Sequence, residues 1–225
     1  MIVYGSTLAP AVRKVLAFIA EKGIDAEHRP VAPHDSSPAF KLASPFGQIP
    51  AFSDDAVSLC DSAAICHYLE HRYPDPPLFP ADAGSYGRMV WFDQFADHFL
   101  GAAECKIVIN LVVKPMRGEE VDTRTVDAAV RNELPPLFDY LESQIDGPFL
   151  AGKSLSLADL AVASPFASLE AAGYLVDADR WPRLAPYVRG ILGRPSMTLG
   201  VNGGSDRLLS DCRDESCRLV PDQLP

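Results

Sequence analysis

Positive charge is what this chain is short of. Its 225 residues carry 20 Lys and Arg against 30 Asp and Glu, a formal net charge of −10. Nucleic-acid binding needs clustered cations to displace counterions from phosphates, and no basic cluster is present. Anionic membrane surfaces are disfavoured by the same deficit. No apolar run approaches the roughly 18 residues of a membrane span; the longest, at 107–113, is interrupted by Asn110. The start, Met1-Ile2-Val3-Tyr4-Gly5, lacks the basic and apolar regions of a secretory signal. Cysteine is sparse and odd in number: Cys60, Cys66, Cys105, Cys212 and Cys217, with no Cys-x-x-Cys metal spacing. Reduced thiols, no bound metal and a cytoplasmic setting are the expectation.

With 48% hydrophobic and 22% charged residues, the chain has the balance of a globular protein long enough for one or two cores. The first eighty residues alternate strand and helix signals. Ile2-Val3-Tyr4 reads as a strand. Val12, Val15, Leu16 and Ile19 mark a helix from Pro10 that stops at Gly23. A second strand is expected within 25–31 and a short helix at 38–43. A strand starting on Pro50 and a turn at Asp54-Asp55 then lead to Val57-Ser58-Leu59. Ser62 opens a helix as its N-cap, with Ile65, Cys66 and Leu69 inward. The proline-rich stretch 75–80 marks a boundary. Beyond it every long segment has helical period: 85–114, 125–145 with Pro135-Pro136 kinking or restarting it, 157–172, and a short helix at 184–193. Residues 157–172 are apolar nearly all round, as in a central buried helix, and Ser156-Leu157-Ala158-Asp159 forms a capping-box pattern. The division expected is 1–75, a linker at 76–84, a helical half at 85–203 and a loose polar tail at 204–225.

Few residues carry specific chemistry. Ile49-Pro50 is a candidate cis bond that would present the Ile49 main chain to an extended peptide; a trans turn is the alternative. Asp61-Ser62 at a helix start pairs free amide groups, which attract a carboxylate, with an acid, which attracts an ammonium. An amino-acid head group needs both. The strand leading into the helix at Pro10 is where a hydroxyl or thiol would stabilise a neighbouring thiolate, yet Ala9 stands there.

These pieces, in this order, resemble the cytosolic glutathione transferases over nearly the whole chain. The matching segments are Val3-Tyr4-Gly5 with the helix from Pro10, Ser44-Pro45-Phe46-Gly47-Gln48-Ile49-Pro50, Asp61-Ser62-Ala63-Ala64-Ile65, and Phe149-Leu150-Ala151-Gly152 with Ser156 to Asp159. The likeness is greatest to phi- and theta-like classes. It implies an α/β thioredoxin-like domain that holds glutathione and an all-α domain that supplies an acceptor pocket. On that resemblance Ile49, Pro50 and Gln48 would meet the tripeptide backbone. Asp61 and Ser62 would hold its γ-glutamyl head, and His34 or Lys41 its glycyl carboxylate. Phe95, Phe99, Met116 and Phe166 would furnish the pocket, with His98 a structural histidine beside them. Relatives with this motif have Ser or Cys where Ala9 lies, so Ser6 and Thr7 lead the substitute donors, ahead of Tyr4, nearby N–H groups and the helix dipole. Arg13 is expected on the surface or in a structural ion pair. The activity implied is transfer of the glutathione thiolate to a hydrophobic electrophile, by a homodimer. Glutathione-dependent peroxide or disulfide reduction, isomerisation, or ligand binding without catalysis are the alternatives on the same scaffold.

Overall fold

The computed structural model describes residues 1–202, and side chains to residue 198. The expected polar tail, with Cys212 and Cys217, lies outside the described residues.

The N-terminal half is a four-stranded sheet with three helices. Strand β1 (Ile2–Tyr4) leads through a loop into α1 (Pro10–Glu21), then β2 (Glu27–Arg29), α2 (Pro38–Ala43), β3 (Ala51–Ser53), β4 (Ser58–Leu59) and α3 (Ser62–Arg72). Strand order is β2-β1-β3-β4; β2 runs parallel to β1, and the other pairs are antiparallel. Val3 faces His28 on one side and Phe52 on the other. The turn after β3 is held by Asp54 Oδ1, which accepts from Ala56 N and Val57 N at 2.8 and 3.0 Å. Both Ile49-Pro50 and Asp75-Pro76 are cis.

The other half is helical: α4 (Ala83–Phe95), α5 (Gly101–Val108), α6 (Lys114–Met116), α7 (Thr123–Ala128), α8 (Leu134–Gln144), α9 (Leu157–Ala171), α10 (Leu184–Leu192) and α11 (Pro195–Asn202). Segments α4 to α6 form one long helix interrupted by π-helical turns at Ala96–Leu100 and Ile109–Val113. A third π turn, Ala129–Glu133, joins α7 to α8. Pro135-Pro136, expected to kink or restart the stretch, lie in the first turn of α8 directly after that π turn. Helix α11 carries no clear period in the sequence and was not expected there.

Helix α9 is the centre. Leu157, Leu160, Val162 and Phe166 are buried, and the helix packs on α1, α4, α5 and α10. Asp159, at its start, accepts hydrogen bonds from Ser156 N (2.9 Å), Ser156 Oγ (3.0 Å), Leu150 N (2.8 Å) and the Tyr187 hydroxyl (2.9 Å). One apolar core runs through both halves and includes Val15, Phe18 and Ile65 beside Phe92, Leu100 and Leu160. Phe166, expected in an acceptor pocket, belongs to this core: it is 2% exposed, with its ring 5.1 Å from Phe138. Arg13, expected at the surface or in a structural ion pair, is buried. Its Nη1 donates to the Ser164 carbonyl at 2.7 Å and to Ser168 Oγ at 3.0 Å.

Candidate functional site

A cavity of about 600 Å³ opens where the sheet half meets α4. One wall comes from the segment ahead of β3, with His34, Gly47, Gln48, Ile49 and Pro50. Gly47 has φ 70° and His34 φ 62°, and the His34 N–H donates to the Gly47 carbonyl at 2.8 Å. A side chain on Gly47 would run into the His34 ring, so only glycine lets the two pack. Gln48 is tied down through its carbonyl, which accepts from Ser44 Oγ at 2.8 Å. Ile49 lies two residues before the β3 ladder begins, so the sheet does not claim its main chain.

The floor is the start of α3. Asp61, not Ser62, is its N-cap: Asp61 Oδ1 accepts from Ala64 N at 2.8 Å. Ser62 is the first helical residue and is buried, and its hydroxyl reaches Asp97 Oδ2 at 3.4 Å. The third wall is α4 and the π turn after it, with Gln94, Asp97 and His98. His98 Nε2 lies 3.1 Å from Gln94 Oε1. Ala11 completes the lining from the first turn of α1.

Behind this wall Lys14, 1% exposed, bridges Asp93 and Asp97 at 2.7 Å each. Burial works to lower the Lys14 pKa, but the two carboxylates outweigh it and hold the ammonium above its ordinary range. Neither Lys14 nor the two acids was picked out in the sequence. The available signal was the spacing: Lys14, Phe18 and Lys22 recur every fourth residue, placing both lysines on a stripe shared with a core phenylalanine. Asp93 and Asp97 are likewise four apart, on one face of a helical stretch.

Other expected residues lie elsewhere. Lys41 is exposed on α2 and does not line the cavity. Ser6 Oγ accepts from Leu8 N at 3.2 Å and so shapes its own turn, Thr7 is 2% exposed, and neither lines the cavity. Tyr4 is buried against Phe40. Ala9 is the N-cap of α1 and offers it no side-chain bond. Phe95 is buried and stacked on the exposed Phe99 (5.8 Å), beside Trp91 and Tyr140. Met116 is exposed at the end of α6. Of the proposed pocket residues, none lines the cavity. Cys60 does line it; Cys66 is fully buried, and burial drives its thiol far above the usual range.

Two family profiles match the chain: Glutathione S-transferase, N-terminal domain, over residues 3–77, and Glutathione S-transferase, C-terminal domain, over residues 123–190. A glutathione S-transferase of Hyoscyamus muticus is 32% identical over 209 residues, covering 89% of this chain and 97% of the relative. A solved structure of glutathione S-transferase I bound with lactoylglutathione superposes with a TM-score of 0.78 at 26% identity, over 88% of this chain and 97% of that one. A glutathione S-transferase from Rhodospirillum rubrum F11 gives 0.82 at 25% identity, over 95% and 99%.

Proposed function

The chain belongs to the glutathione transferase family, and from that premise we propose that the cavity binds glutathione and delivers its thiolate to a hydrophobic electrophile. The observation that carries this reading is convergence. Ile49 and Gln48 from one segment, and Asp61 and Ser62 at a helix N-terminus, border a single cavity of about 600 Å³, within the size range of small-ligand sites. A peptide lying along Ile49 would place its γ-glutamyl end at the start of α3, where the unpaired first-turn N–H groups meet its carboxylate and Asp61 its ammonium.

The reaction forms a bond from sulfur to the electrophilic carbon as the leaving group departs with its electron pair, and the thiol proton passes to solvent. An ordinary thiol with pKa about 8.5 is only a few per cent ionised at pH 7, so the anion needs help. Ala9 has no hydroxyl to give. Ala11 lies on the cavity in the first turn of α1, a helix of 12 residues that starts on Pro10; the Val12 and Arg13 amides donate to the Ala9 carbonyl, so the Ala11 N–H and the positive dipole end are what suit a sulfur anion there. That favours the helix terminus over Ser6 and Thr7 as the stabilising group. Binding both reactants side by side supplies the rest.

The exposed apolar side chains Leu42, Phe46, Trp91 and Phe99 support a homodimer, which would elute at about twice the 24.4 kDa chain mass. We read residues 76–84 as the linker and the setting as cytoplasmic and detoxifying.

The deciding experiment measures glutathione binding by calorimetry and conjugation of chlorodinitrobenzene, for wild type and Ala9→Ser. Binding with turnover is expected, and the added hydroxyl should raise kcat/KM about tenfold or more, as a donor aimed at a developing anion does. No glutathione binding by wild type would overturn the reading. Binding without turnover would leave a ligand-binding protein.

A further inference from the structure

Ala9, the N-cap of α1, has no polar side chain with which to fix the entry of its own helix. Its main chain is fixed from elsewhere. The Ala9 N–H donates to the Ser6 carbonyl at 3.1 Å and the Leu8 N–H to Ser6 Oγ at 3.2 Å, so the loop closes on Ser6. The Leu8 carbonyl turns the other way, into the helical half, and accepts from Ser168 Oγ on α9 at 2.9 Å. The Leu8–Ala9 peptide is thereby gripped on both sides. Ser168 is buried, and its oxygen also accepts from Arg13 Nη1 at 3.0 Å, while that nitrogen donates to the Ser164 carbonyl at 2.7 Å. Arg13 belongs to α1, so the loop and the helix it enters are anchored on the same turn of α9. Glu104 faces the Ser168 hydroxyl from α5, and its burial favours the protonated acid, which leaves the one Ser168 proton for Leu8. None of these anchoring side chains lines the cavity.

Resting on the glutathione reading above, we propose that Ser168 is a positioning residue for the thiolate: by holding the Leu8 carbonyl it sets where the Ala11 N–H meets the sulfur. That amide is the donor left in the first turn, since Pro10 has no N–H and the next two amides close on Ala9. A main-chain donor cannot swing like a hydroxyl on a side chain. It moves only with its backbone, so its aim depends on how the loop ahead of it is tied. The amide and the helix dipole act on a charge that exists only after the proton has left. Misplacing them therefore raises the pH at which the thiol ionises and spares the other contacts of the tripeptide. The helical half thus takes part in activating the sulfur from behind the cavity wall.

The test titrates bound glutathione through the ultraviolet absorbance of its thiolate, and follows kcat/KM with pH, for wild type, Ser168→Ala, Ser168→Cys and Tyr187→Phe. Ser168→Ala should move the thiolate titration upward by about one pH unit and lower kcat/KM at about pH 6.5 by about fivefold to tenfold. The loss should close toward about pH 9, where both proteins hold the anion. The glutathione Kd at about pH 6.5 should change by less than about threefold. Ser168→Cys keeps the shape with a weaker donor and should show the same shift in smaller measure, so the proposal stays testable if Ser168→Ala folds poorly. Tyr187→Phe also removes one buried hydroxyl from the helical half, the donor to Asp159, and should leave the titration where it is. An unmoved titration in the Ser168 variants, or an equal shift in Tyr187→Phe, overturns the inference while leaving the glutathione site standing. So does a loss of kcat/KM that stays constant from acid to alkaline pH. No glutathione binding by wild type overturns the parent reading and this one together.

Discussion

Glu104 on α5 is buried, 3% exposed. Burial lifts its carboxyl from an ordinary 4.5 to about 7, against the opposing pull of Arg13 and Ser168. The fold thus prefers this acid protonated. Its contribution to stability is complete below the unfolded value, declines as the unfolded chain ionises first, and is gone once pH passes about 7. That difference corresponds to about 3 kcal/mol at most. Glu104→Gln should therefore flatten the loss of stability between about pH 5 and pH 8, which urea midpoints across that range would read. An unchanged pH profile would mean that water reaches the carboxyl. At the same scale, Cys66 should resist alkylation in the native protein, since its thiol is fully buried and held protonated by that burial; mass spectrometry after iodoacetamide treatment checks this.

Among the elements, α9 depends most on one residue. Asp159 gathers four donors from three segments, the turn at Leu150, Ser156 and α10 through Tyr187. Asp159→Ala leaves those donors unpaired in the core and should cost about 3 kcal/mol or more, whereas Tyr187→Phe, which removes one bond, should cost about 1 kcal/mol. Chemical denaturation of the two variants gives the ratio. This cap was legible in the sequence because it depends on residues three apart. So were α1, α2, β1 and the hairpin turn, each set by local periodicity or by Gly, Pro and Asp at turns. What escaped was decided at a distance. Lys14 becomes a buried bridge only because α4 and the π turn after it bring two acids against α1, and Phe166 joins the core only because α8 packs Phe138 on it. The N-cap fell on Asp61, one residue earlier than Ser62, since only its extended backbone lets the carboxylate turn back to Ala64. The π turn that delivers Asp97 and His98 to the cavity leaves no mark in a 3.6-residue period.

For the whole molecule, the two halves fold as a unit. Val15, Phe18 and Ile65 bury themselves in the same core as Phe92 and Leu160, and Lys14, Arg13 and Arg194 cross the boundary to Asp93, Ser164 and Glu21. Urea should produce one transition by both fluorescence and circular dichroism, and a fragment of residues 1–80 should not unfold cooperatively. A stable fragment would mean that the sheet half carries its own core. Lys14→Met, which strands Asp93 without its partner, should destabilise the full chain by about 3 kcal/mol.

The long helix from α4 to α6 has a further property. A π turn holds one residue more than the α-turn it replaces, so Ala96–Leu100 is an insertion stored inside an unbroken rod. Removing one residue there would restore plain α-helix and leave the side chains beyond it, Glu104 among them, on the faces they now occupy. In this helix the chain length can change by one residue at the π turn without changing the direction in which the distal side chains point.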